Sequence, residues 1–276
     1  MTDVLITARQ LAAALESDRP PVVLDVRWRL ERPDGWPVYF AGHIPGAVYV
    51  DLAQELAAPN RPASEGRHPL PDVERLQESA RRWGISNDSW VVVYDDAKGM
   101  SAARAWWLLR YAGLEDVRML DGALPAWESA GLPLQPGPVE AKPGDVTLRY
   151  GALPVLDIDG AAEFPSKGVL LDARARDRFR GDHEPVDPVP GHIPGAVSAP
   201  TTENLAPDGT FLPADELRRR FEELGVRDAV AVYCGSGVTA AHEAAALTIA
   251  GFEPALYPGS WSEWANNPGR PVETGE

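Results

Sequence analysis

Short unbroken apolar runs alternate along this chain with stretches whose apolar positions recur every three or four residues. Val22–Val26, Val91–Tyr94 and Val117–Leu120 are runs of the first kind. They suit parallel strands buried on both faces, where no polar alternation is needed. The helical period predicts helices over Thr7–Ser17, Asp72–Trp83 and Ser101–Tyr111. The pattern then starts again, with strands predicted over Val169–Asp172, Ala229–Tyr233 and Ala255–Tyr257 and helices over Ala214–Leu224 and Thr239–Ala250. Strand–helix alternation of this kind predicts an α/β fold, with two tandem domains that each carry a parallel sheet and helices on both faces.

The restart is a sequence repeat. GHIPGAV stands at Gly42–Val48 and again at Gly191–Val197, and VVLDVR at Val22–Arg27 answers VLLDAR at Val169–Arg174. VVVYDDAKGMSAARAWW (Val91–Trp107) answers VAVYCGSGVTAAHEAA (Val230–Ala245), and LDGALPAW (Leu120–Trp127) parallels YPGSWSEW (Tyr257–Trp264). The blocks keep their order, which marks a duplicated domain. The expected division is residues 1–134, a linker at 135–150 whose core QPGPVEAKPGD (Gln135–Asp145) is rich in Pro and Gly, and residues 151–276.

Composition narrows the function classes. The 276 residues carry 26 basic and 41 acidic side chains, a formal charge of −15. Such a surface repels nucleic acid and anionic membranes, so neither is expected as a partner. The start, MTDVLITARQLAAALESD, lacks the basic and apolar regions of a signal peptide, and no run is long enough for a spanning helix. One cysteine, Cys234, forms no internal disulfide, which suits a reducing cytoplasm. The five histidines show no ligand spacing, and neither metal nor cofactor is expected.

The duplication is also an internal control, because features of both copies serve the fold and features of one copy are candidates for chemistry. His43 and His192 recur in HIPG and read as turn or core histidines; Asp25/Asp172 and Arg27/Arg174 recur at strand ends and read as loop ties. Trp127 and Trp264 correspond and read as packing. The copies part at one loop. The second runs Cys234-Gly235-Ser236-Gly237-Val238 into a helix near Thr239, where the first has Asp95 to Met100 and no nucleophile. A residue at the carboxyl end of a parallel strand, just before a helix, lies where open α/β sheets place their sites. Glycines at 235 and 237 let successive N–H groups curl toward the sulfur, and the helix turns its positive end to the same point. Both favour a thiolate, the reactive form of cysteine. The alternative is a small buried hydrophobe. Arg178 falls opposite Glu31 when counted from the shared aspartate, reversing the charge. It reads either as an anchor for an anionic substrate or as a solvated arginine of the run Arg174–Arg180.

The duplicated HIPGA blocks, CGSGVTA (Cys234–Ala240), DARARDRFRG (Asp172–Gly181) and GSWSEW (Gly259–Trp264) together resemble the tandem-domain rhodanese family of thiosulfate and 3-mercaptopyruvate sulfurtransferases, over nearly the whole chain. The resemblance implies an inactive first domain and a catalytic second one. By it Cys234 carries sulfur as a persulfide, Arg178 anchors the donor, and Gly235, Ser236, Gly237, Val238 and Thr239 surround the sulfur. It implies a small-molecule donor, 3-mercaptopyruvate or thiosulfate, and cyanide or a thiol as acceptor. His68, in GRHPLP, resembles a histidine placed near the loop serine, here Ser236; Asp51 is a candidate third member. The loop resembles the mercaptopyruvate branch. That branch carries a second arginine soon after the first, where this chain reads His183-Glu184-Pro185-Val186-Asp187. The thiosulfate branch puts basic side chains in the loop, where this chain has Gly235 and Ser236.

Two other readings compete. Cysteine phosphatases also use a cysteine loop before a helix, but need an arginine six residues on, where this chain has Ala240. A sulfur-relay or regulatory module with little turnover is the other, and steady-state assays with cyanide separate it from an enzyme. The sequence leaves oligomeric state open.

Overall fold

The computed structural model describes residues 3–276; Met1 and Thr2, the first two residues of the stretch read for a signal peptide, lie outside it. The chain divides into two compact units. Unit 1 holds the chain up to Ala58, Pro71–Ala152 and Pro207–Thr210, and unit 2 holds Pro59–Leu70, Leu153–Ala206 and Phe211–Glu276. The division is reciprocal, since each repeat contributes a short arm to the unit formed mainly by the other. The linker belongs to unit 1, where Gly144 N–H donates to Arg81 O at 2.8 Å, Arg149 N–H to Ala112 O at 3.0 Å, and Tyr150 OH to Pro71 O at 2.7 Å.

Unit 1 is a five-stranded parallel sheet built from β1 (Leu5–Ile6), β2 (Val22–Asp25), β3 (Val48–Tyr49), β4 (Val91–Tyr94) and β5 (Val117–Leu120), in the order β1-β5-β4-β2-β3. It is flanked by α1 (Ala8–Leu15), α2 (Trp36–Ala41), α3 (Leu52–Glu55), α4 (Val73–Arg82), α5 (Ala102–Tyr111) and α6 (Ala123–Ser129). Unit 2 has four parallel strands, β6 (Val169–Asp172), β7 (Val197–Ser198), β8 (Val230–Tyr233) and β9 (Ala255–Leu256), in the order β7-β6-β8-β9. A lone parallel bridge from Val155 to Leu256 stands where β1 stands in unit 1. Its helices are α7 (Ile158–Glu163), α8 (Arg176–Arg180), α9 (Ala214–Glu223), α10 (Thr239–Ile249) and α11 (Ser260–Ala265). The expected α/β class holds for both units.

Every residue of β4 and β8 is buried. Successive strand residues face opposite sides, so both faces are covered, and this is why these segments read as unbroken apolar runs. The predicted helix at Thr7 begins one residue later, because Thr7 is the cap: its hydroxyl accepts from Gln10 N–H while the Gln10 side chain accepts from Thr7 N–H. β1, β3 and β7 were not predicted. Each has two residues, too few to show a period.

The shared features are fold devices, as expected. In each unit an Asp–Arg pair two positions apart closes the loop after the first long strand. Arg27 Nη2 reaches Asp25 at 2.6 Å and Gly42 O at 2.7 Å; Arg174 Nη2 reaches Asp172 at 2.6 Å and Gly191 O at 2.7 Å. His43 is buried and stacked on Tyr39, with Nδ1 3.0 Å from Tyr39 O, and His192 repeats this on Phe179 at 2.8 Å. The stacks correct one correspondence: Phe179 matches Tyr39, so the counterpart of Arg178 is Val38, not Glu31. An insertion after β2 defeats counting from the aspartate. Trp127 and Trp264 are buried, each donating its indole N–H to a proline carbonyl.

Candidate active site

Registers Asp25↔Tyr94 and Asp172↔Tyr233 end the central strands at equivalent points, and the next residues are Asp95 and Cys234. The two carbonyls are used alike: Asp95 O accepts from Leu124 N–H, and Cys234 O from Trp261 N–H, both at 2.9 Å. The loops that follow differ in what they hold. In unit 1 the Asp95 carboxylate is fully buried and accepts four backbone N–H groups, from Ala97 at 2.7 Å, Gly99 at 2.9 Å, Ser101 at 2.8 Å and Ala102 at 3.0 Å. Burial pushes its carboxyl above the ordinary range even against those four donors. The next residue, Asp96, is held by Arg29 Nε at 3.2 Å and Arg32 Nη2 at 2.6 Å. The first copy thus carries built-in anions in the loop where the second copy carries its cysteine.

In unit 2 the cradle is shorter and holds sulfur. Cys234 is buried, and Gly237 N–H donates to its Sγ at 3.2 Å. Gly237 has φ +75°, a left-handed conformation that turns its amide back toward the strand end. Val238 caps α10, and Thr239 is its first residue. That helix is buried from Ala240 to Leu247; its small side chains let it lie close against the sheet, with its N-terminal end at the loop. The first residue of α11 in the YPGSWSEW block, Ser260, is missed by sequence reasoning. It has φ +55°, and its hydroxyl accepts from Cys234 N–H at 3.1 Å while donating to Tyr257 O at 2.9 Å. Its only sequence signal is its place in the GSWSEW block.

Arg178 is no free surface arginine. Glu184 receives its Nε at 3.1 Å and its Nη2 at 2.7 Å, and Asp187 receives Nη2 at 3.3 Å. The remaining edge faces the cysteine loop: a Cβ at Gly235 would stand 3.4 Å from Arg178 Nη1. Burial pushes Glu184 up, but hydrogen bonds from Arg178 and from the Asp187 and Val186 amides outweigh it and leave its carboxyl below the usual range. The segment His183–Asp187, where a second arginine was sought, supplies carboxylates instead.

A second arginine arrives from the arm Pro59–Leu70. Arg67 pairs with Asp187, and its backbone N–H donates to Ser262 Oγ at 3.0 Å. Beside it His68 is buried, with Nδ1 2.9 Å from Ser236 Oγ. Gly66 makes this approach available: its φ is +89°, and a Cβ there would lie 2.9 Å from Gly259 O. Cys234, Gly235, Ser236, Gly237, Arg178 and His68 are therefore gathered in one unit. Asp51 is used elsewhere, capping α3 in unit 1 by accepting Gln54 N–H at 3.1 Å. Among the described residues no cluster of His, Cys, Asp or Glu could hold a metal ion, and no helix is long and apolar enough to cross a membrane.

Comparison with known proteins places the chain among relatives of one family. The rhodanese-like domain family matches twice, at residues 7–130 and 158–267. A Pseudomonas aeruginosa protein, named provisionally as a 3-mercaptopyruvate sulfurtransferase, is 50% identical over 99% of this chain and 98% of its own length. A Mycobacterium tuberculosis protein, SseB, named provisionally as a thiosulfate sulfurtransferase, is 48% identical over 99% of this chain and 97% of its own. The crystal structure of SseA from Escherichia coli, described as a 3-mercaptopyruvate sulfurtransferase of rhodanese fold, matches with a TM-score of 0.83 and 33% identity, over 94% of this chain and 99% of that one. Relatives of nearly equal similarity thus carry different donor names, and similarity does not choose between donors. What it fixes is the lineage: this chain belongs to the rhodanese-like family, as a sulfurtransferase with two such domains.

Proposed function

We propose that the enzyme takes sulfur from 3-mercaptopyruvate in preference to thiosulfate, carries it as a persulfide on Cys234, and passes it to cyanide or a thiol. One observation carries the reading: the cradle holding Cys234 Sγ is the counterpart of one that already encloses the Asp95 carboxylate in four N–H bonds. A loop built to surround an anion suits both the attacking thiolate and the persulfide anion that replaces it.

In the first step the Cys234 thiolate attacks the donor's sulfur. An S–S bond forms as the C–S bond breaks, and its electron pair leaves on carbon as the enolate of pyruvate, which then takes a proton. Ser236, with His68 at 2.9 Å, is the proposed route for that proton. In the second step the acceptor attacks the outer sulfur, the S–S bond breaks, and its electrons return to Cys234. Thiosulfate would instead leave as sulfite, a dianion whose departure is eased by cations beside the cysteine. The loop from Cys234 to Val238 offers none.

Loading without acceptor tests the reading directly. Incubation with 3-mercaptopyruvate is expected to add about 32 Da to Cys234, removable by cyanide, and faster per unit concentration than with thiosulfate. Faster loading by thiosulfate would overturn the donor assignment, and loading on any residue other than Cys234 would overturn the carrier.

Arg178 is the proposed anchor for the donor carboxylate. Arg178→Ala is expected to raise the mercaptopyruvate KM with little change in kcat. The loss of a charge-assisted contact, about 1.5–3 kcal/mol, corresponds to roughly 10- to 150-fold. Unchanged kinetics would make Arg178 a partner of Glu184 and nothing more.

A further inference from the structure

We propose that Asp187, held between Arg67 and Arg178, is a specificity residue that keeps the donor site from favouring dianions. This rests on the reading of Arg178 as the donor anchor and extends it to the choice between donors.

The groups form one alternating chain of ions: Asp172, Arg174, Glu184, Arg178, Asp187, Arg67. Its links are 2.6 Å for Asp172–Arg174, 3.4 Å for Arg174–Glu184, 2.7 Å for Glu184–Arg178 and 3.3 Å for Arg178–Asp187, with Arg67 closing the end. Three cations face three anions, so the network is neutral. The Asp187 and Glu184 side chains are each 3% exposed, so water screens them little, and neither charge can be discounted.

Neutrality has a consequence for donors. Arg178 still presents its Nη1 edge at Gly235, and a monoanion gains a charge-assisted hydrogen bond there without needing surplus positive field. A compact dianion needs that surplus, and Asp187 removes it. The carboxylate also engages both arginines, one through each oxygen, and so takes up donor capacity that a sulfonate-like group would otherwise use. Arg67 has the opposite effect: without it the network would be net negative and would repel every donor, the dianion most. Specificity here comes from a charge placed against the wrong substrate as much as from contacts to the right one.

Asp187→Asn keeps the shape and removes the charge. Arg67→Met removes the opposite charge at a residue whose side chain is 28% exposed. The readout is the ratio of kcat/KM for thiosulfate to that for 3-mercaptopyruvate, with Cys234 loading followed by mass in the same samples. Because the donors differ by one charge, Asp187→Asn is expected to raise the ratio about tenfold, and Arg67→Met to lower it about tenfold. A merely structural role would slow both donors alike and leave the ratio fixed. Ratios within twofold of wild type, with Cys234 still loading, overturn this proposal and leave the persulfide reading standing. Failure of the wild-type enzyme to load Cys234 overturns both. Should Asp187→Asn not fold, the direction of the Arg67→Met shift decides alone.

Discussion

Cys234→Ser is expected to lose sulfur transfer by at least about a hundredfold, with either donor and any acceptor, while the protein stays folded. The change replaces one atom at a buried position whose backbone is fixed from both sides, by Ser260 Oγ on its N–H and by Trp261 N–H on its carbonyl. The serine hydroxyl can take the same place in the cradle, so the fold has no reason to yield. It cannot take over the chemistry, because an alkoxide is not available near neutral pH and oxygen forms no stable counterpart of the persulfide. Thiocyanate production from cyanide measures the effect, and circular dichroism and thermal unfolding check the fold. A variant retaining a tenth of the wild-type rate would show that the sulfur does not travel on this residue. Cys234 is the sole cysteine, so no neighbouring thiol can substitute for it.

The second large effect concerns stability. Asp172→Ala is expected to cost unit 2 about 3–5 kcal/mol, because it leaves the Arg174 guanidinium buried without its main partner. The Arg174 side chain is 1% exposed, donates Nε and Nη2 to Asp172, and lies over the Trp261 ring at 4.7 Å. Glu184, at 3.4 Å, compensates only in part. Asp25→Ala is the matching experiment in unit 1, where Arg27 pairs with Asp25 and ties Gly42 in the same way. Urea unfolding followed by hydrogen exchange separates the units. In Asp172→Ala, protection is expected to fall across β6 and β8 more than across β2 and β4. A loss below about 1 kcal/mol would mean that the guanidinium finds water on its own.

The long strands were legible because each is buried on both faces and so shows as a bare apolar run. Of the two-residue strands only β9 was legible, while β1, β3 and β7 were not, since their pairing comes from the sheet and not from their own sequence. Cys234 was legible for a different reason, the contrast with its own duplicate. Arg178 stood out in the sequence, but its surroundings did not. Glu184 and Asp187 read as the lack of an arginine, and only the fold gives them a role as its partners. Arg67 was hidden because the sequence places it in the first repeat, more than a hundred residues before Asp187, and nothing local announces that its segment joins unit 2. His68 was reached only through family resemblance; by its own neighbours it is a loop histidine. Ser260 was hidden by chemistry, because an ordinary serine gains its role from a left-handed backbone that no residue type reveals.

The exchange of arms bears on heredity. Duplicated domains usually become separable parts that can be lost, shuffled or fused anew. Here Pro59–Leu70, twelve residues encoded in the first repeat, supply Arg67 and His68 to the unit that holds Cys234. A gene cut between the repeats would yield a second half with its cysteine but without those side chains. The two repeats are therefore tied together in the reading frame, since the side chains packed around Cys234 are encoded on both sides of the boundary between them.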